Sequence, residues 1–247
     1  MFKLTRSGLI YGASSHPDGR NVRLRLAMLQ EMAAFPSGGF ADIGGGEGSY
    51  ALWLLEHCQH LCLIDVDPRA LERARQRLAH AAQAAFVEAP AEATGLPGQR
   101  FDAAFLIEVL DHVDDPSAAL AEAFRLLKSG GGQLYLTVPN KAFPVETHPV
   151  RLGKAFLSPR CMPLLPWFGW LHRRLATARV FSATALVRMI EQAGFVDVRI
   201  DYLMPPFERH PWLQPLSAWF ARTPLRRFGV SLCAVAVKPA SAFDYAS

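Results

Sequence analysis

With 247 residues, 51% of them hydrophobic, the chain can bury one substantial α/β core. No window reaches the roughly 18 uninterrupted apolar residues of a membrane span, and the opening MFKLTRSGLIYGASSHPDG lacks the apolar stretch and cleavage site of a signal peptide, so a cytoplasmic protein is expected. The net charge is only +4, and Cys58, Cys62, Cys161 and Cys233 form neither a CxxC pair nor a Cys/His ligand spacing, which argues against a zinc module and a disulfide framework.

The elements follow in order. Val22, Leu26, Leu29 and Ala33 share one helical face ahead of the first strand. Strands are predicted at 40–43, 60–65, 84–89, 101–107 and 132–138, with helices at 48–57, 68–82 and 116–128 between them. Asp67-Pro68 and Asp115-Pro116 each read as an acidic N-cap with proline at the first helical position, and KSGGG at 128–132 as a helix stop. A helix over 183–193, ended by Gly194, leads into FVDVRIDYL, whose strict alternation predicts an edge strand. The nearly all-apolar SLCAVAVK (231–238) should lie inside the sheet. Alternating strands and helices imply a doubly wound, mostly parallel α/β sheet covered on both faces.

Three adjacent glycines, Gly44 to Gly46, and Gly48 follow the first strand, where such sheets bring backbone close to a ligand at a helix N-terminus. The spacing is G-x-G-x-G, with Ser49 where a dinucleotide fingerprint has its last glycine. Asp42 ends the strand. A carboxylate there opposes a pyrophosphate by something on the order of 4 kcal/mol at an effective dielectric near 20, and suits a ligand carrying an ammonium group. Asp65 ends the second strand 21 residues after Gly44, where an acid can accept both hydroxyls of a ribose. A ribose with an amino group outlines S-adenosylmethionine.

DIGGGEG resembles the D-x-G-x-G-x-G signature of class I S-adenosylmethionine-dependent methyltransferases, and residues 20–140 and 181–239 resemble that family at large. The resemblance implies a seven-stranded sheet with its last strand antiparallel, and a cofactor site of Asp42, Gly44, Gly46, Gly48, Asp65, Val66, Glu92, Ala93 and Ile107. Glu92 would meet the adenine amino group, and Tyr11 of the N-terminal arm would close over the cofactor. Glu108, Asp111 and His112 resemble an E-x-x-E-H metal arrangement of some relatives, but Asp replaces the second Glu and no metal is expected. The domain then divides into an arm and helix (1–35), a cofactor-binding half (36–140) and two insertions (141–181 and 205–230) forming a substrate lid.

Residues 141–181 hold seven Lys/Arg against one acid, and 205–238 five against one. These two stretches also carry Trp167, Trp170, Trp212 and Trp219. Such basic, aromatic segments suit a small or lipid-like, quinone-like acceptor and peripheral contact with the inner face of an anionic membrane. Nucleic acid fits less well. His112 and His148, in the loops after the fourth and fifth strands, are the candidate bases for methyl transfer, expected at an oxygen. A non-catalytic cofactor-binding partner protein and, less favoured by Asp42, a nicotinamide oxidoreductase remain open alternatives.

Overall fold

Local signals set the helix starts. In the computed structural model, which describes residues 19–153, 155–157, 162–205 and 211–241, the Asp67 side chain accepts the N–H of Arg69 at the start of α3 (Pro68–Arg77). The Asp115 side chain accepts from Ser117 and Ala118 at the start of α4 (Pro116–Leu126), so both expected caps form. The helix expected over 48–57 is limited to α2 (Ala51–Leu55), because Gly44, Gly46 and Gly48 all take positive φ and hold the preceding residues in a loop.

Seven strands make one sheet: β1 (Gly39–Ile43), β2 (His60–Asp65), β3 (Ala84–Glu88), β4 (Ala103–Ile107), β5 (Gln133–Pro139), β8 (Val196–Leu203) and β9 (Ser231–Val237), in the order β3-β2-β1-β4-β5-β9-β8. The β1, β2, β3, β4 and β5 pairings are parallel, and β9 runs antiparallel between β5 and β8. The expected seven-stranded architecture, with its antiparallel last strand inside the sheet and β8 at an edge, is therefore present. Strand 101–107 starts late, at Ala103, since Phe101 pairs only with Leu127. The strict alternation expected in β8 is broken between Val196 and Arg199, where Asp197 takes φ +53° and Val196 is left exposed.

Two-residue alternation sorts the strand side chains to two cores. Phe40, Leu63, Phe105 and Tyr135 meet α1 (Arg20–Met32), α2 and α3, whereas Ala41, Ile64, Leu106 and Leu136 meet α4 and α6 (Ala183–Gln192). Side chains such as Leu26, Leu71, Leu120 and Ile190 are fully buried, each worth roughly 2 kcal/mol in area removed from water. The same alternation puts Asp42 on the Phe40 side, under the first glycine loop. The insertion after β5 adds a hairpin, β6 (Val150–Leu152) and β7 (Ala155–Leu157), and α5 (Gly169–Leu175); the one after β8 adds α7 (Gln214–Ala221).

Candidate active site

The strand order reverses direction between β1 and β4, the switch point where the loops of such sheets diverge and a crevice is expected at the carboxyl edge. The loop after β1 is drawn across β2: Gly44 N–H and Gly45 N–H both donate to Ile64 O, at 2.7 and 3.1 Å. A Cβ on Gly44 would stand 2.6 Å from Val109 Cγ2, and one on Gly45 would stand 2.6 Å from Asp42 Oδ2. Glycine is required here by close approach from both sides, not only by turn geometry. Val109 begins the loop after β4, so the glycine cradle and that loop are in direct packing contact.

Asp42 is 1% exposed, and among the described residues its Oδ2 has no hydrogen-bond donor. Burial, reinforced by the nearby Asp65 charge, raises its pKa to about 7. Asp65 does not cap α3, since Asp67 does. Its Oδ1 accepts Asp67 N–H and its Oδ2 accepts Gly46 N–H, each at 2.8 Å, which fixes the acid against the glycine loop. Burial raises the Asp65 pKa against these bonds.

Glu92 is neither a solvated loop acid nor free for a ligand alone: its Oε1 accepts Asp114 N–H at 3.0 Å and Asp115 N–H at 3.4 Å, fastening the segment after β3 to the start of α4. A second fastening, absent from the sequence reading, lies beside it. Glu122 on α4 accepts Thr94 N–H (2.9 Å) and pairs with Arg125 (2.7 Å), which in turn donates to Leu96 O. The Arg125 hydrogen bond, with those from Thr94, holds the Glu122 pKa down to about 2. Ala93 and Val66 are exposed along this edge, and Ile107 is buried at the end of β4. Tyr11 lies outside the described residues.

The other half of the crevice is polar and titratable. Asp111 is fully buried. Its Oδ2 stands 3.1 Å from His112 Nε2 and 3.6 Å from His148 Nε2, so the two histidines, 36 apart in sequence, share one carboxylate. Ligand atoms of Asp111, His112 and His148 lie within 4.8 Å of one another. Burial pushes the Asp111 pKa up, only partly opposed by the imidazoles. Arg179 holds this loop from outside, through its guanidinium to Val113 O and Asp114 O and its N–H to Asp111 O.

His148 has its own frame. Glu146, 2% exposed, accepts Thr147 N–H and His148 N–H at 2.9 Å each, and stands 2.8 Å from His172 Nε2 on α5. His148 Nδ1 faces Thr147 Oγ1 at 3.1 Å. Burial opposes the Glu146 charge, yet the bonds to His148 and His172 bring its pKa to about 2. For His148, burial likewise opposes the charge but is outweighed by Glu146, Asp111 and Glu108, and its pKa is raised above 6.5. Glu108 itself turns away at φ +56°, accepting Thr137 Oγ1–H at 2.9 Å and pairing with buried Arg25 at 3.2 Å. The E-x-x-D-H spacing therefore does not bring Glu108 together with Asp111 and His112; His148 takes that place. The frame residues Glu146, His172 and Arg179 were missed in the sequence, where a lone acid in a basic stretch was the only signal.

Residues 41–135 match the family model described as a methyltransferase domain. In this stretch the chain is similar to methyltransferase domains, and its seven-stranded, Rossmann-like sheet is the fold of solved S-adenosylmethionine-dependent methyltransferases. Among individual proteins, it is 27% identical over 172 residues to rice (Oryza sativa subsp. japonica) chloroplastic 2-methyl-6-phytyl-1,4-hydroquinone methyltransferase 1, covering 68% of this chain and 44% of that protein. It is 33% identical over 172 residues to the ubiquinone/menaquinone biosynthesis C-methyltransferase of Bartonella tribocorum, covering 65% of this chain and 64% of the relative. The chain thus spans less than two thirds of either relative. Haemonchus contortus phosphoethanolamine N-methyltransferase 2, solved with S-adenosyl-L-methionine, shares the fold at TM-score 0.62 and 18% identity, over 91% of this chain and 54% of that one.

Proposed function

We propose that the protein transfers a methyl group from S-adenosylmethionine to a lipid-like hydroquinone, at the inner face of a membrane. The observation that carries the reading is the junction of two unlike halves of one crevice, a glycine cradle over an unsatisfied buried acid and a histidine-lined acceptor side, held together by Val109 packing on Gly44. The residues fit the cofactor. Asp42 lacks a donor that an ammonium group would supply, Asp65 stands at the strand end where a ribose is held, and Gly44 and Gly45 leave no room for a side chain where a ligand approaches. Val66, Ala93 and Ile107 would line the adenosine, and Glu92 would face the adenine with the oxygen its backbone bonds leave over. S-adenosylmethionine, when bound, supplies the electrophilic methyl carbon.

The acceptor half supplies a base. With Nδ1 held by the Thr147 hydroxyl, His148 presents Nε2 as the proton acceptor for a phenolic hydroxyl. The imidazolium that forms is stabilised by Asp111 and Glu146. His112, across the same carboxylate, orients the acceptor from the other side. Deprotonation places electron density on both the oxygen and the adjacent ring carbon. The phenolate's electron pair forms the new bond to the methyl carbon as the bond to sulfur breaks; attack by carbon is followed by loss of the ring proton. The sequence favoured oxygen, but one relative is named a hydroquinone methyltransferase and the other a C-methyltransferase of ubiquinone/menaquinone biosynthesis, so carbon is the first reading and oxygen the second.

The test incubates the protein with S-adenosylmethionine and a short-chain, water-soluble hydroquinone, with mass spectrometry for turnover and NMR for the position of the methyl. Methylated product supports the reading and its position decides the atom. Tight S-adenosylhomocysteine binding by calorimetry with no turnover on any hydroquinone favours the non-catalytic alternative, and NAD binding without response to S-adenosylhomocysteine would overturn the cofactor.

A further inference from the structure

We propose that residues 162–175 and 211–228 form a docking surface for an anionic lipid bilayer, set beside the acceptor side of the crevice. The proposal rests on the lipid-like acceptor argued above and names the surface from which that acceptor is drawn.

The first observation is an excess of uncovered aromatic surface. Trp167, Phe168 and Trp170 are 49%, 55% and 66% exposed, and Trp212, Leu216 and Trp219 are 75%, 45% and 56% exposed. The α7 helix reads QPLSAWFA and buries no residue at all, whereas α1, α3, α4 and α6 each bury two or more. Among the described residues this mostly apolar helix contributes no side chain to either core, and apolar exposure of this kind marks an interaction surface.

The second observation is charge. The sequence holds no Asp or Glu between Glu146 and Glu191, nor between Glu208 and Asp244. Arg173, Arg174, Arg222, Arg226 and Arg227 are all exposed on these two segments. Arg226 makes a surface pair with Asp201 at 3.5 Å, and Arg227 lies over the Phe228 ring at 5.0 Å. Tryptophan interleaved with arginine suits the boundary between headgroups and acyl chains, where the ring is half immersed and the guanidinium meets phosphate. The charge also selects among occupants. A second copy would bring the same positive face, which repels, whereas an anionic leaflet is complementary. No described helix is long and apolar enough to cross a membrane, so contact through these segments is peripheral.

The third observation is position. The Asn140 side chain donates to Arg227 O and Gly229 O at 2.8 Å each, and Trp167 Nε1–H donates to Ala142 O at 3.1 Å. Both segments are tethered within three residues of each other, at the start of the loop that carries Glu146 and His148. A bilayer under these residues lies next to the acceptor half and away from the amino ends of the strands.

Full-length protein is sedimented with vesicles of phosphatidylglycerol mixed with phosphatidylcholine, and with phosphatidylcholine alone, without acceptor. The expected result is binding to the mixed vesicles at low salt, about tenfold or more weaker binding to phosphatidylcholine, and release at high salt. The pair Trp212→Ser/Trp219→Ser should weaken binding about tenfold or more, with melting temperature and S-adenosylhomocysteine affinity unchanged. The triple reversal Arg222→Glu/Arg226→Glu/Arg227→Glu should abolish it. No sedimentation with anionic vesicles, or equal sedimentation of wild type and both variants, would overturn the proposal. So would a dimer in analytical ultracentrifugation that the tryptophan pair dissolves, which would assign the surface to a second copy. Vesicle binding without hydroquinone turnover would sink the acceptor reading and leave the docking surface standing; turnover without vesicle binding would do the reverse.

Discussion

The two halves of the crevice are built on opposite principles. The proposed cofactor side is made of strand ends and one glycine loop, its groups fixed by backbone: Gly44 and Gly45 bond to Ile64 O, and Asp65 accepts Gly46 N–H. The proposed acceptor side is made of long connections whose side chains hold one another: Glu146 between His148 and His172, and Asp111 between His112 and His148. Backbone-built sites tolerate no added atoms, whereas side-chain-built sites tolerate repacking but depend on charge. Damage to the first should therefore appear in cofactor affinity, and damage to the second in turnover and its pH dependence.

The sharpest test of that division is His148→Gln, which should lower kcat by about 10² to 10⁴ while calorimetric S-adenosylhomocysteine affinity stays put; a parallel loss of affinity would erase the contrast. On the other side, Gly44→Ala adds left-handed backbone strain at φ +73° and a Cβ 2.6 Å from Val109. Roughly 3 kcal/mol of combined strain and overpacking should cut cofactor affinity about a hundredfold.

Asp42 offers a test by pH. Its folded pKa of about 7 lies above the ordinary aspartate value of 3.8, so the native state binds the proton more tightly. In the cofactor-free protein this favours folding at acid pH, and the contribution is lost as pH rises from about 4 to about 7, by something on the order of 4 kcal/mol. Asp42→Asn should therefore melt close to wild type near pH 4 and above it at pH 8. Cofactor affinity should move the other way, strengthening in wild type as Asp42 ionises and staying flat in the variant. Glu146→Gln removes a negative partner of His148, and the pH at which kcat reaches half its maximum should fall toward the ordinary histidine range. The smallest effect is expected of Arg125→Ala. Its side chain is 44% exposed, so melting should drop by about 1 kcal/mol, or roughly 2–4 °C, with a few-fold loss of cofactor affinity at most.

The cofactor half was legible because its signals are local. The glycine run after an apolar strand, Asp67 and Asp115 before proline, and the apolar SLCAVAVK all act within a few residues, and each has its expected place in the fold. Glu92 shows the limit of such reading: the expected adenine contact is also a fastener to Asp114 and Asp115, about twenty residues on, which no local pattern signals. The β8 alternation holds for Val198, Ile200 and Tyr202, which pack against one core at the sheet edge, and fails only at Val196, for a related reason. A bulge at Asp197 costs one residue of register and leaves Val196 exposed, and register belongs to the partner strand as much as to the sequence.

By itself, then, the sequence determined the order of elements, the helix caps, the glycine loop with its acid, and the uneven division of charge, since hydrophobic period and backbone freedom are properties of neighbouring residues. Only the tertiary structure decided that His148 replaces Glu108 beside Asp111, that Glu146 and His172 frame it, and that α7 is left without a buried face. Those outcomes depend on which loops the sheet order brings to one edge, and on whether a charge carried there finds a buried partner or stays in water.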